Sequence, residues 1–450
     1  MLLTIVSFLL MLGILMFFHE LGHYWVARRN NIEVEEFGVF GFPPRIVKLF
    51  TYKGTDFTLN AIPLGAFVRM KGEDMGDMSA GSFNAASAGA RAAVLVAGPA
   101  MNLLLAFVFS IFSVMSGFPA AVANPQITEI ATSGPVAEVG LQAGDVILSV
   151  NGDAVYVDDS GSLVNTDRAD FQVSEANGLT VLRNGVMTTL PVPNGVDGET
   201  ILDAAVTQPV LNTRITVVAP NTPAEEAGLQ AGDLIYAVNG EVVTPSNSLG
   251  SMVSQYPDSE VTLTVLRDMQ WLNVDVFARA NPPAGEGSMG VGIDARPVLA
   301  SVPIGQAIVR GVGGILDYVG LVAALPVMLI TGQMSASDAG ISGPVGIAQM
   351  VGGAVSATAD TGVWFPIWQL AAIISAGLAV ANLLPIPALD GGRLLFIAFE
   401  KLRGRRLDPE KEGVIHLVGF ALLLGLMVVV TISDIRSGPE AIDWGRLIGQ

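Results

Sequence analysis

The sequence predicts a multi-domain membrane protein: an α-helical transmembrane core of four spans, a β-loop between the first two spans, and two tandem α+β modules between the second and third. Three observations predict it. The 450 residues are 51% hydrophobic and only 14% charged, with mean hydropathy +0.55. That is too apolar for an ordinary soluble protein and too mixed for a bundle of spans alone. Four segments are long enough to cross about 30 Å of hydrocarbon, which takes about 20 residues. One stretch of the intervening chain recurs, GLQAGDVILSVNGDAV at 140–155 and GLQAGDLIYAVNGEVV at 228–243.

The first span, within 1–28, opens MLLTIVSFLLMLGILMFFHELG. With no basic n-region and no small-residue cleavage site, it reads as a retained span and not a removed signal peptide. The other three are 92–117, about 367–389 (within a segment 366–398), and 414–433. Basic residues mark the cytoplasmic side of a span. Arg28 and Arg29 follow the first span, Arg91 precedes the second, and the loop 399–413 carries Lys401, Arg403, Arg405, Arg406 and Lys411. The stretch 118–310 holds about 22 acidic residues against about 7 Lys/Arg, a poor cytoplasmic loop. The expectation is a multi-pass membrane protein. Both termini (the tail being 434–450) and the acidic middle lie outside, and 29–91 and 399–413 lie inside.

Within 283–365, the segment VRGVGGILDYVGLVAALPVMLITG, 309–332, is apolar enough to compete as a fifth span. Arg310, Asp317 and Pro326 interrupt it, and a fifth crossing would put the basic 399–413 loop outside. The expectation is an amphipathic helix on the outer side.

The repeat divides the outer region into modules at 122–205 and 212–282. Each copy is preceded by a small-residue helix start, SGPVAEVG or PNTPAEEAG. Each is followed by an alternating strand pattern, LTVLRNGVMTTLPV or VTLTVLRDMQWLNVDV. Gly–Asp after a helix and Asn–Gly between strands are turn signals with a steric basis. Self-similarity at this period predicts two copies of one fold. The wording resembles circularly permuted bacterial PDZ domains. That resemblance implies a groove where a peptide, or a substrate's outer domain, adds as an extra strand. A structural spacer on the same fold is the plainer alternative.

Function is sharpest at His19-Glu20-Leu21-Gly22-His23. Two histidines at i and i+4 share one helix face, so both imidazoles can reach one ion. Glu20, beside the first, is placed to act as general base on a water. An ionisable group inside a span is a functional candidate by default. The chain has no cysteine and three histidines, so a metal must be held by His, Asp or Glu. Zinc suits nitrogen and oxygen ligands with one open position. Asp390, in NLLPIPALDGG, is the candidate third ligand. His19 lies about 25 Å along the first span at 1.5 Å per residue. Asp390 lies just past the third, and both spans run inward, so both groups arrive near the cytoplasmic face. His416 has no partner pattern and reads as an interfacial residue. A net charge of -18 argues against nucleic acid as a partner.

HELGH in the first span, AGPAMN at 97–102, the module pair, SGPVGI at 342–347 and NLLPIPALDGG resemble, in that order, the site-2 protease family of intramembrane zinc metalloproteases. The nearest likeness is to the bacterial RseP-type branch that cleaves anti-sigma factors. The resemblance covers nearly the whole chain. It implies zinc on His19, His23 and Asp390, Glu20 as catalytic glutamate, and Asn382 as a substrate-binding residue. Asn102, with Gly98-Pro99, matches a motif of the second span and enters as a further substrate-binding candidate. TDFTLNAIPLGAFVRM, 55–70, resembles the family's membrane-re-entrant β-loop, with substrate binding expected around Pro63, Leu64 and Gly65. An exposed strand edge could hold an unwound substrate there by β-addition; a plain cytoplasmic hairpin is the alternative. Ala66 stands where a second glycine is common, and Arg393 where histidine is frequent.

The implied activity is hydrolysis of a peptide bond within the bilayer. The substrate would be a single-pass membrane protein of anti-sigma-factor type whose outer domain is already shortened, with remnant signal peptides a second class. A zinc transporter would also place ligands in spans, but has no use for Glu20 or an outer peptide-binding pair. A silent scaffold would have no reason to keep the HExxH and LDG set.

Overall fold

The computed structural model describes residues 2–62, 65–73, 77–130, 139–158, 161–164, 178–184, 186–192, 197–268, 270–283, 286–300, 302–334, 342–404, 409–437, 442 and 444. These divide into two compact units, one formed by residues up to 116 together with 303–444, the other by 117–302.

In the first unit, helix α1 (Leu2–Arg29) carries no acidic or basic side chain before the HELGH motif, and ends on Arg28 and Arg29. Helix α2 (Ala88–Met115) begins at Ser87, whose hydroxyl accepts a hydrogen bond from the Ala90 amide, pairing one of the donors a helix start leaves open. The two helices approach closely because Gly22 of α1 faces the backbone of α2. A Cβ on Gly22 would lie 2.3 Å from the Ala97 carbonyl oxygen. Small residues at such contacts are what packing in lipid, without a hydrophobic drive between helices, demands.

Between α1 and α2 the chain forms a four-stranded sheet ordered β2-β3-β1-β4: β1 (Val34–Phe40), β2 (Phe42–Tyr52), β3 (Thr55–Ile62) and β4 (Phe67–Met70). β1 and β3 are parallel; β2 and β4 are antiparallel edge strands. Phe37 stacks on Phe57 at 5.3 Å, and Tyr24 of α1 meets both rings edge-on at 5.7 Å, which fixes the sheet to the helix. β2 exposes its full length, including Ile46, Leu49, Phe50 and Tyr52.

Helix Phe365–Leu383 packs on α2 through small residues, Ala372 and Ala376 against Ala106. Ser375 donates to the Asn102 carbonyl at 2.7 Å, and Ser113 to Gln369 at 3.0 Å. Helix Ile304–Ile330, which covers the segment expected to be amphipathic, lies along α2 and Phe365–Leu383, with Ile315 buried among those alanines. Gly311 permits this: a Cβ there would touch the Ile111 nitrogen at 3.0 Å. Arg310, Asp317 and Pro326, which interrupt its apolar run, are all exposed. Among the described residues, five helices are long and apolar enough to cross a membrane, this one included. Helix Pro344–Thr361 starts in the SGPVGI motif, where Asp434 of the last helix (Pro409–Ser437) accepts from the amides of Gly343 and Gly346 at 3.2 and 2.8 Å. A side chain at either glycine would crowd that carboxylate.

The second unit contains two sheets of the same plan. One runs Val186–Leu190, Leu179–Arg183, Val146–Val150, Asn124–Ile130, Ala205–Val210; the other runs Gln270–Ala278, Ser259–Arg267, Leu234–Val238, Thr213–Val218, Val291–Ala295. Each repeated Gly-Asp holds a buried ion pair. Asp145 binds Arg183 and the Gln142 amide; Asp233 binds Arg267 and the Gln230 amide. Those carboxylates are 1% exposed, and each draws its arginine's pKa above the usual value. The duplication read from sequence is thus a duplication of core chemistry. Most of the SGPVAEVG start lies outside the described residues. A two-stranded ribbon, Phe118–Ala121 with Pro297–Ala300, pairs the entering and leaving chain.

Candidate active site

His19 and His23 lie one turn apart on α1, 4% and 5% exposed. Asp390 reaches them from across the unit. Its Oδ2 lies 3.3 Å from His19 Nε2 and 3.4 Å from His23 Nε2, and the two ring nitrogens are 3.1 Å apart. Donors about 2.0–2.2 Å from a tetrahedral ion sit about 3.3 Å from one another. Two imidazoles and a carboxylate at these separations therefore fit zinc, with a fourth side for water or substrate. Among the described residues this is the one group of three or more such side chains close enough to hold a metal.

Local sequence explains each placement. Pro385 and Pro387 end helix Phe365–Leu383, since neither ring can continue the hydrogen-bond ladder. The chain turns through Ala388, at φ 79°, and restarts as helix Asp390–Arg403. Gly391 and Gly392 make the restart possible. A Cβ on Gly391 would lie 2.2 Å from the Leu384 carbonyl oxygen, and one on Gly392 2.4 Å from that of Ile386. The LDGG run is therefore a steric requirement of bringing Asp390 back against the broken helix. Broken backbone at membrane depth is tolerated where protein or a watered cavity surrounds it.

On α2, Gly98 faces the two imidazoles directly: a Cβ there would lie 2.3 Å from His23 Nε2 and 2.7 Å from His19 Nε2. His23 Nδ1 lies 2.8 Å from the Val94 carbonyl oxygen. A carbonyl only accepts, so this bond places the proton on Nδ1 and leaves the Nε2 lone pair for a metal.

His19, His23 and Asp390 open into a cavity of about 270 Å³ lined also by Glu20, Asn382 and Leu95, and by Phe67, Val68 and Met70 of β4. Glu20 thus shares one space with the ligand cluster, Asn382 and an edge strand. Gly65 lies over Met16 of α1 and accepts from the Gly41 amide at 2.7 Å. Pro63 and Leu64 lie outside the described residues. Asn102 does not line the cavity; it is completely buried, with its side-chain nitrogen 3.1 Å from His19 Nδ1.

Three contacts carry no sequence signal of their own. Arg393 forms an ion pair with Glu73, joining helix Asp390–Arg403 to the chain just after β4, and both line the cavity. Arg91 pairs with Glu400 at 2.6 Å. His416 Nδ1 accepts from the Ala388 amide at 2.9 Å, and Gly419 seats Pro387. His416 therefore supports the turn before Asp390. Only the scarcity of histidine in this chain could have drawn attention to it.

Comparison with known proteins agrees with this site. The model of peptidase family M50 matches residues 7–426. The chain is 30% identical to the zinc metalloprotease RasP of Geobacillus kaustophilus, over 96% of this chain and 98% of that one. It is 30% identical to the regulator of sigma-E protease RseP of Escherichia coli, over 95% and 97%, and 29% identical to the regulator of sigma-W protease RasP of Bacillus subtilis, over 96% and 98%. The donor set, its setting among apolar helices and these relatives agree: the chain belongs to peptidase family M50, as a bacterial membrane-integral zinc metalloprotease.

Proposed function

We propose that this protease hydrolyses a peptide bond inside the transmembrane segment of single-pass membrane proteins of the anti-sigma-factor type, with remnant signal peptides as a second class. The observation that carries the reading is the single cavity shared by His19, His23, Asp390, Glu20 and the edge of β4. Zinc bound there supplies a Lewis acid and brings the pKa of a water to about 7. Glu20 takes the proton from the attacking water and delivers it to the leaving nitrogen. Asn382 hydrogen-bonds the substrate backbone near the scissile bond. A helical segment hides its peptide bonds, so it must be unwound first. β4, together with Gly65 and the neighbouring Pro63 and Leu64, holds it extended by strand addition.

The parity of basic loops supports four crossings, with the paired modules and both termini on the periplasmic side and the site near the cytoplasmic face. The modules act as PDZ domains that bind a peptide or exclude bulky outer domains. Strand Val291–Ala295 supports this: it is an open sheet edge, exposed from Gly292 to Ala295, beside a cavity of about 400 Å³ that Ser248, Ile293 and Asp294 help to line.

The test is to incubate a tagged single-pass substrate lacking its outer domain with purified protein in liposomes, and to map the cut by mass spectrometry. Wild type should cut within the hydrophobic segment, and Glu20→Gln should be slower by about 10²–10⁴-fold. Cleavage only outside that segment, or equal rates for both proteins, would overturn the proposal.

A further inference from the structure

We propose that Asn102 is a positioning residue for His19: its carboxamide oxygen accepts the Nδ1 proton of that ring and so keeps Nε2 free for the metal. The inference rests on the zinc-site reading above and goes beyond the ligand set.

The two histidines differ in what stands at Nδ1. His23 has a backbone carbonyl at Nδ1, 2.8 Å away, which fixes its tautomer. The polar group at His19 Nδ1 is the Asn102 side chain at 3.1 Å. A neutral imidazole has one proton. On Nδ1, it leaves the Nε2 lone pair pointing toward Asp390. On Nε2, it lies between the ring and the Asp390 carboxylate 3.3 Å away, where it satisfies that pair and opposes a metal. The acceptor at Nδ1 therefore decides whether His19 is a ligand.

Asn102 is built to be that acceptor. It is 0% exposed, so no water replaces it. Its backbone is fixed by α2 and by the Ser375 hydroxyl on its carbonyl at 2.7 Å. Its Oδ1 is buried without a hydrogen-bond partner among the described residues, while Nδ2 faces the ring. The two ends of a carboxamide have nearly the same shape, and the proton on the facing group decides which end turns toward it. With Nδ1 protonated, a half-turn brings Oδ1 to the ring as acceptor and moves Nδ2 to the buried position that Oδ1 leaves. A hydrogen bond from a ligating histidine to such an acceptor fixes its ring and raises its basicity.

The test uses full-length protein in detergent, with Asn102→Leu and Asn102→Asp. Zinc affinity is read by chelator competition, stoichiometry by elemental analysis, and folding by thermal melting. Leucine has similar size and no acceptor; zinc affinity should fall by about 10–100-fold. Aspartate accepts only, so it should bind zinc as tightly as wild type or more tightly. A merely structural role predicts the reverse order, with the apolar leucine tolerated and the buried carboxylate harmful. Wild-type affinity in the leucine variant, or an aspartate variant weaker than wild type, overturns the proposal. The second comparison stands even if the leucine variant fails to fold. A direct substrate-binding role would raise KM with zinc affinity unchanged, and would also overturn it. Absence of zinc from wild type would instead overturn the metalloprotease reading, and this inference with it.

Discussion

Replacing Gly98 by alanine should expel the metal while leaving the helices folded. The added Cβ would sit 2.3 Å from His23 Nε2 and 2.7 Å from His19 Nε2. Non-bonded heavy atoms reach their optimum at about 3.5–4.0 Å, so the overlap is about 1 Å on two ligand atoms at once. Neither ring can step aside freely. His23 is held through Nδ1 by the Val94 carbonyl at 2.8 Å, and His19 by Asn102 at 3.1 Å. Releasing such a bond costs about 0.5–1.5 kcal/mol net and leaves a buried donor unpaired. Separating α1 from α2 instead would open the contact at Gly22, where the Ala97 carbonyl already approaches closely. Overpacking of this kind costs about 1–3 kcal/mol of stability, which a well-packed bundle survives. Ligand distances, however, must hold to within about 0.2 Å. Zinc affinity should therefore fall by about 100-fold or more, with cleavage lost in parallel and only a modest change in melting temperature. Chelator competition and thermal melting on the same preparation measure both quantities. A Gly98→Ala protein that binds zinc as wild type does would refute the packing argument.

Other perturbations follow from the same contacts. His416→Phe removes the acceptor of the Ala388 amide while keeping a ring against Phe396. It should loosen the turn before Asp390 and speed zinc loss on dialysis by about 10-fold, the low end for a supporting contact, and His416→Gln should restore retention. In the second module, Asp233→Ala leaves Arg267 without the carboxylate that it grips at 2.6 Å. That should cost about 1.5–3 kcal/mol, the range for hydrogen bonds to a charged group, read as earlier melting of the outer unit by hydrogen exchange; Asp145→Ala should do the same to the first module.

Much of the site was legible because it is local. Two histidines one turn apart need only a helix to converge, and Glu20 comes with them. Asp390 was reachable because depth along a span can be counted at a fixed rise per residue, and the count brings it level with His19 if the two spans run the same way. The tandem modules were legible because their turns repeat the same residues for the same steric reasons. What escaped reading depends on which helix faces which. Apolar periodicity says that α2 is buried, but not that Gly98 meets both imidazoles, that the Val94 carbonyl orients His23, or that Asn102 stands behind His19 outside the cavity. His416 escaped because its partner is a backbone amide, which every sequence position but proline offers. In helix Ile304–Ile330 the polar interruptions were legible, and the contacts that Gly311 and Ile315 make on the opposite face were not.

The central claim is that His19, His23 and Asp390 hold one zinc while Glu20 does the proton transfer and does not bind the ion. The most direct measurement is zinc per chain and cleavage rate, on one set of preparations, for wild type, Glu20→Gln and Asp390→Asn. The account predicts about one zinc and cleavage in wild type, zinc retained without cleavage in Glu20→Gln, and zinc weakened with cleavage lost in Asp390→Asn. Zinc held equally by wild type and Asp390→Asn, or lost from Glu20→Gln, would contradict it.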